Sequence, residues 1–238
     1  MNIAIVGYGR MGRAIEQIAL ERGHQVVLKI DAKDIDSIAK SDFNNVDVAI
    51  EFSTPESAFS NINLCIDNKI PVVSGTTGWL NRIEQVVERC KNEDATFFYA
   101  SNYSLGVNLF FKINENLAKI MSKFSDYSIE LEETHHIKKL DAPSGTAITL
   151  AEGIIKNNQK INTWKEEEST TFDSIPIVSK REGSVPGNHK VTYESDFDKI
   201  IIEHDAKSRK GFALGAVLAA EFIADKRGYF TMNDLLEI

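Results

Sequence analysis

The chain has 238 residues, 42% hydrophobic and 26% charged, a balance ordinary for a globular protein and enough for two modest cores. A formal net charge of −8 argues against the basic surface that dominates nucleic-acid affinity, so a small-molecule partner is expected and no nucleic acid. No apolar run approaches the roughly 18 to 20 residues of a membrane span, and MNIAIVGYGR has no basic segment leading into a signal core, so a cytoplasmic protein without a membrane partner is expected.

In chain order, the first half alternates short apolar runs with amphipathic stretches: NIAIVG, RMGRAIEQIALERG, QVVLKID, VDVAIEF, ESAFSNINLCIDNK, PVVSG, NRIEQVVERCKNE and TFFYASN. This is a βαβ rhythm, and near-continuous Val/Ile runs suit strands of a parallel sheet covered on both faces. Beyond about residue 104 the pattern changes. VNLFFKINENLAKIMSKF reads as a long helix and YSIELEETHH as a one-sided strand; IPIVSKRE, HKVTYES and DKIIIEHDA follow with no long helix between them, implying an antiparallel or mixed sheet. NNQKINTWKEEESTTFDS is polar and aperiodic and reads as a surface loop or flap, while GFALGAVLAAEFIADKRG reads as a buried helix packed closely through Gly and Ala. Cys65 and Cys90 have neither CxxC nor zinc spacing and read as ordinary thiols.

Gly7, Gly9 and Gly12 form G-x-G-x-x-G between the run IAIV and a helical pattern, the context a dinucleotide-binding turn needs. The first glycine permits the turn, the second lets backbone approach a pyrophosphate, and the third lets helix and strand pack closely. Tyr8, Arg10 and Met11 complete this loop. Asp31 closes the run QVVLKI about 20 residues further on, where an acid accepts bonds from a ribose 2′-OH. It favours NADH over NADPH, although Lys33 and Arg10 could offset its charge, so NADH preference or use of both is expected. Gly75, Thr76 and Thr77 after PVVS, and Ala100, Ser101, Asn102 and Tyr103 after TFFY, stand at the carboxyl ends of presumed parallel strands, where open α/β sheets bind ligands.

The densest chemistry is HHIKKLDAPSGTA, residues 135–147. Pro143, the Ser/Thr cluster and the apolar periodicity beyond them mark a helix start, and the N–H groups of Ser144, Gly145 and Thr146 with the Thr146 hydroxyl could hold a carboxylate. His135, His136, Lys138 and Lys139 stand just upstream; cations beside such a turn imply an anionic substrate, and a histidine titrating near neutrality can carry a proton. No metal is expected, because His135 and His136 point to opposite faces of a strand and no HExxH or Cys/His spacing completes a ligand set.

With these residues laid out, the chain resembles the 4-hydroxy-tetrahydrodipicolinate reductase (dihydrodipicolinate reductase) family of diaminopimelate and lysine synthesis. The most specific part of the likeness is E-x-H-H-x-x-K-x-D-A-P-S-G-T-A from Glu133 to Ala147, supported by GYGRMG, EFSTPES, SGTTG, ASNYSLGVN, REGSVPGNH and HDAKSRKGFALGA. The resemblance implies an α/β fold, with a Rossmann-like dinucleotide-binding domain (1–103 and 209–238) and an inserted α+β substrate-binding and oligomerisation domain (104–208) that builds a homotetramer. It implies His135 as proton donor and acceptor, Lys139 as partner acid and carboxylate binder, and His136, Gly145 and Thr146 as ligands of a small dicarboxylate. NADH or NADPH would be held by Gly7 to Gly12, Asp31, Gly75 to Thr77 and Ala100 to Tyr103. Departures from the family pattern are Ala32 in place of the arginine that can follow Asp31, Glu51 where Asp is common, and Ser101 and Tyr103 where a small residue and Phe are usual. Other readings are a related NAD(P)-dependent amino- or imino-acid dehydrogenase, against which the complete HHxxKxDAPSGT run speaks, and a catalytically silent NAD-binding regulator, in which that basic run would have decayed.

Overall fold

A computed structural model describes residues 1–31, 40–166, 173–208 and 210–237. The chain divides into two compact units, Met1–Leu105 with Lys210–Ile238, and Gly106–Arg209.

The first unit is built on β1 (Asn2–Val6), β2 (Gln25–Ile30), β3 (Val48–Glu51), β4 (Val72–Ser74), β5 (Thr96–Tyr99) and β11 (Gly228–Phe230), paired in the order β11-β5-β4-β3-β1-β2 with every pair parallel. Side chains alternate across a strand, and here each face is apolar. Ile3 and Ile5 of β1, Val48 and Ile50 of β3 and Phe98 of β5 enter one core with residues of α1 (Arg10–Glu21) and α6 (Lys210–Ile223). Ala4, Val6, Ala49, Phe97 and Tyr99 enter the other, with α2 (Pro55–Asp67) and α3 (Ile83–Asn92). Each Ile or Val fully removed from water in this way contributes about 1.5–3 kcal/mol. α6 packs tightly because Gly215 has no side chain: a Cβ there would lie 1.7 Å from the Tyr103 carbonyl oxygen.

Three elements of this unit depart from a reading by pattern. QVVLKI looks like a strand buried on both faces, but β2 is an edge strand exposed on alternate residues. β11 and the short α7 (Met232–Leu236) follow α6, where KRGYFTMND offers no apolar run of the kind that marks β4.

The second unit carries a mixed sheet, β10-β9-β6-β8-β7. β6 (Ser128–His135) lies at its centre, antiparallel to β9 (Asn188–Glu194) and parallel to β8 (Ser174–Arg181); β10 (Lys199–Asp205) pairs antiparallel with β9. The segment expected to be all loop contributes β7 (Thr163–Lys165), which pairs with β8 and sets Trp164 opposite Ile175; residues 167–172 of that segment lie outside the described residues. α4 (Leu105–Met121) and α5 (Gly145–Asn157) supply Phe110, Ala118, Leu150 and Ile154 to a core closed by Leu131, Ile177 and Val191 of the sheet. Among the described residues no helix is long and apolar enough to cross a membrane.

Candidate active site

The glycine-rich turn follows directly from strand geometry. Gly7, at φ +94°, donates its N–H to the Ile30 carbonyl at 2.8 Å, and a Cβ on it would sit 2.1 Å from the Phe52 carbonyl oxygen. A Cβ on Gly12 would lie 2.4 Å from the Gly7 carbonyl oxygen and 3.1 Å from Ile5 Cγ2. Gly9 is different, because its missing side chain would meet nothing within 4 Å. Two of the glycines thus serve the fold, while the third leaves backbone open at the N-cap of α1. The first turn of that helix contains no acidic residue, and no side chain caps it. A helix N-terminus left in this state suits a pyrophosphate.

Two cavities meet at Gly9. One, of about 310 Å³, is lined by Gly7, Gly9, Asp31, Ser53 and Asn61 among others. The second, about 370 Å³, runs from Gly9, Arg10 and Met11 to Gly75, Thr76 and Thr77. The first places Asp31, the acid expected to receive a ribose hydroxyl, beside the glycine turn, and the second joins two sequence segments expected to touch the same ligand. Lys33, the cation that could offset Asp31, lies outside the described residues.

Other expected cofactor residues spend their side chains elsewhere. The Tyr8 hydroxyl donates to Glu16, and its ring carries Arg13 at 5.8 Å and Lys29 at 5.0 Å. The Thr76 hydroxyl is buried, donating to Glu51 at 2.9 Å while accepting from the Ser53 N–H, whereas Thr77 is exposed. Tyr103 is buried and donates to the Ser74 carbonyl oxygen at 2.7 Å; burial holds its phenol well above the usual range. Asn102 accepts from the Ser104 N–H at 2.9 Å, Ser101 is exposed, and Ala100 to Tyr103 line neither cavity.

The sequence reading missed Phe52, which lines both cavities and whose ring occupies the space a Cβ on Gly75 would need, 2.2 Å away. The run EFSTPES offered a signal, since Thr54 and Ser57 form a capping box with Pro55 at the helix start. Below it Glu51, fully buried, accepts from Ser74 at 2.6 Å and from the hydroxyls of Ser53 and Thr76. Burial raises its pKa against these hydrogen bonds.

In the second unit the site grows from the alternation of β6. Ile129, Leu131, Glu133 and His135 share the buried face, so a stripe that begins as hydrophobic core ends as a carboxylate and an imidazole. Register then brings partners from distant sequence. Glu133 is paired with Ser179 on β8 and with His189 on β9, and His135 with Arg181 on β8. On the opposite face Glu132 binds Lys180 at 2.6 Å and Lys190 at 2.9 Å, a solvent-side ion-pair cluster.

Glu133 is the hub. Its carboxylate accepts from the Ser144 N–H at 3.1 and 3.2 Å and from the Ser179 hydroxyl at 3.0 Å; Arg181 Nη1 and His189 Nε2 each approach within 3.6 Å. Burial alone would raise its pKa, but the approach of His189 and the donors from Ser144 and Ser179 outweigh it and hold Glu133 at about 2. Ser144 is the N-cap of α5, its Oγ accepting from the Ala147 N–H at 3.2 Å and lying 3.1 Å from His189 Nε2. The Ser144 N–H, expected to meet a substrate carboxylate, donates to Glu133 in this structure. Gly145 stays exposed with nothing within 4 Å of its missing Cβ, and Thr146 is half-buried.

His135 lies 3.5 Å from Glu133 through Nδ1, its ring 5.0 Å from that of His189. Burial, with His189, Lys139 and Arg181 acting in the same direction, pushes the imidazole down to about 4 against the pull of Glu133. A histidine titrating near neutrality was expected; the structure holds it neutral at pH 7. Lys139 pairs with Asp141 at 2.6 Å, and that ammonium lowers the Asp141 pKa. Arg181, overlooked in the sequence, donates to the Asp141 carbonyl oxygen at 2.7 Å. His136 is half-buried, with Nδ1 making no hydrogen bond. Ligand atoms of Glu133, His135 and His189 fall within 4.8 Å of one another, a convergence that the spacing around His135 and His136 could not show; hydrogen bonds already claim both Glu133 oxygens.

A parallel sheet with an open glycine turn, and a separate cluster of cations and an imidazole at a helix start, define a class: an NAD(P)-dependent oxidoreductase acting on a small anion. The family model described as "Dihydrodipicolinate reductase, N-terminus" matches residues 1–103, and that described as "Dihydrodipicolinate reductase, C-terminus" matches residues 106–236. The chain belongs to the dihydrodipicolinate reductase family. A 4-hydroxy-tetrahydrodipicolinate reductase of Christiangramia forsetii is 56% identical over 236 residues, covering 99% of this chain and 98% of that protein. Among solved structures, dipicolinate-bound dihydrodipicolinate reductase from Paenisporosarcina sp. TG-14 has the same fold, with a TM-score of 0.78, 24% identity and 98% of each chain covered. A probable dehydrogenase from Thermotoga maritima is more distant, with a TM-score of 0.53 at 11% identity, covering 94% of this chain and 87% of that one.

Proposed function

We propose that the chain reduces 4-hydroxy-tetrahydrodipicolinate, by way of dihydrodipicolinate, to tetrahydrodipicolinate in the diaminopimelate route to lysine, using NADH or NADPH. The observation that carries this reading is the junction of β6 with α5, where His135, Lys139 and an open helix start stand around a buried carboxylate. When bound, the nicotinamide supplies the hydride.

The chain's own residues do the rest. Backbone at Gly9, with Tyr8, Arg10, Met11 and Gly12, holds the pyrophosphate; Asp31 receives a ribose hydroxyl; Gly75, Thr76 and Thr77, with the backbone of Ala100 to Tyr103, border the nicotinamide end. Gly145 and Thr146 donate to one substrate carboxylate, and Lys139 and His136 meet the other. Ser144 acts by fixing the helix start through Glu133. A dicarboxylate beside Lys139 and Arg181 offsets the cations that help to keep His135 neutral, so the imidazole takes up a proton on binding and delivers it as the enamine forms. This chemistry calls for no metal.

In this reading residues 1–103 and 209–238 bind the dinucleotide, and residues 104–208 bind substrate and build a homotetramer in the cytoplasm. Ile200 and Ile201, exposed on the edge strand β10, support an assembling surface there.

Mixing the protein with freshly made substrate and each reduced dinucleotide separately tests the proposal. Oxidation of NADH is expected, with a kcat/KM at least equal to that for NADPH because Asp31 repels a 2′-phosphate. Oxidation of neither dinucleotide overturns the reading, and a KM for NADPH far below that for NADH overturns the role of Asp31.

A further inference from the structure

We propose that Glu133 is the positioning residue of the His135 imidazole: its carboxylate holds the proton on Nδ1, and Nε2 is the nitrogen that carries the catalytic proton. The inference rests on the reading of His135 as the proton donor and assigns the two ends of its ring.

Three observations support it. His135 Nδ1 is buried without a hydrogen bond, and an oxygen of the fully buried Glu133 lies 3.5 Å from it, a gap that a small ring movement closes. An unpaired buried polar atom beside a carboxylate is costly unless the two meet. The carboxylate itself cannot turn away, because the Ser144 N–H and the Ser179 hydroxyl grip it from α5 and β8. Held ionised, Glu133 accepts protons in hydrogen bonds but does not take one up, so it selects the Nδ1–H tautomer and favours the imidazolium that forms later.

At the other end of the ring, Gly187 keeps the Nε2 edge clear. A Cβ on Gly187 would lie 3.2 Å from His135 Nε2. This gives the segment REGSVPGNH, notable in the sequence only as a family likeness, a physical task on each of its strands. Arg181 flanks Glu133, Gly187 spares Nε2, and His189 closes on the carboxylate at 3.6 Å while meeting the N-cap Ser144. The charged and titratable groups facing His135 are Glu133 on its own strand, Arg181 on β8, His189 on β9 and Lys139 in the following turn. Glu133 alone among these four favours the imidazolium.

The test uses Glu133→Gln, which keeps shape and an acceptor oxygen but removes the charge. Nitrogen-15 NMR of the histidine side chains, assigned with His135→Gln, reads the tautomer without any turnover. In the wild-type protein His135 is expected as Nδ1–H; in Glu133→Gln the population moves toward Nε2–H and the imidazole titrates at still lower pH. The same variant should lose about 10- to 100-fold in kcat, the range for an outer partner of a working histidine, with KM changed less than kcat and NADH affinity unchanged. Glu133→Asp should restore part of the Nδ1–H population. A wild-type His135 found as Nε2–H, or a Glu133→Gln protein with unaltered tautomer and kcat within twofold, overturns the assignment. Failure of the wild-type protein to reduce the substrate would remove the proposed reaction but leave the tautomer measurement standing by itself.

Discussion

His135→Gln is expected to lower kcat by about 10²- to 10⁴-fold, the range for losing a positioned proton donor, and Lys139→Ala by a similar factor. At 1.36 kcal/mol per decade this is about 3 to 5 kcal/mol of transition-state stabilisation. The two variants differ in what else they disturb. His135 is buried against Glu133 and His189, so its replacement also removes a ring from a packed cluster; glutamine preserves a polar group there and limits the damage. Lys139 makes its ion pair with the exposed Asp141, so Lys139→Ala should leave thermal stability nearly unchanged. Steady-state kinetics beside NADH titration separates the cases, because both variants should bind NADH as the wild-type protein does. Turnover near the wild-type value in either would remove that residue from the mechanism.

The second large effect divides the three glycines by task. Gly9→Val places its Cβ where nothing stands within 4 Å, so the fold should accept it, while the open backbone proposed to receive the pyrophosphate is blocked. NADH should then bind about 10- to 100-fold more weakly, or about 1.4 to 2.8 kcal/mol, with Tm nearly unmoved. Gly12→Ala should behave in the opposite manner. Its methyl would sit 2.4 Å from a backbone carbonyl that cannot yield, and overpacking of this kind costs about 1–3 kcal/mol or more, lowering Tm by several degrees. Equal loss of stability in both variants would show that Gly9 belongs to the fold as well.

What could be read in the sequence was what lies close together in it. The glycine turn, the strand runs of β1, β3 and β5, and the Ser144 helix start are each written within a few residues, because the turn, the strand period and the cap are local physics. Glu133 also stood in the quoted motif, but its role depends on strand register: Ser179 comes from β8 and His189 from β9. Periodicity gives a residue's face and says nothing of which strand lies beside it. The helix start also came with an internal anion that no pattern announced, so one of its three expected donors is already used. β7 and β11 were missed because TWK and GYF lie among polar and charged residues with no apolar run like the PVVS of β4, and β2 was misjudged because an edge strand of a parallel sheet can keep an apolar composition. Tyr103 stands in a segment that could border a ligand, but its ring is spent on the Ser74 carbonyl and the packing beside Gly215.

Transfer of deuterium from (4,4-²H₂)-labelled NADH to product, followed by mass spectrometry and NMR, tests the central claim most directly. One deuterium per product molecule is expected, at ring carbon 4, with the balancing proton drawn from solvent. Product that forms without label at that carbon, or label retained entirely in the dinucleotide, would contradict the account.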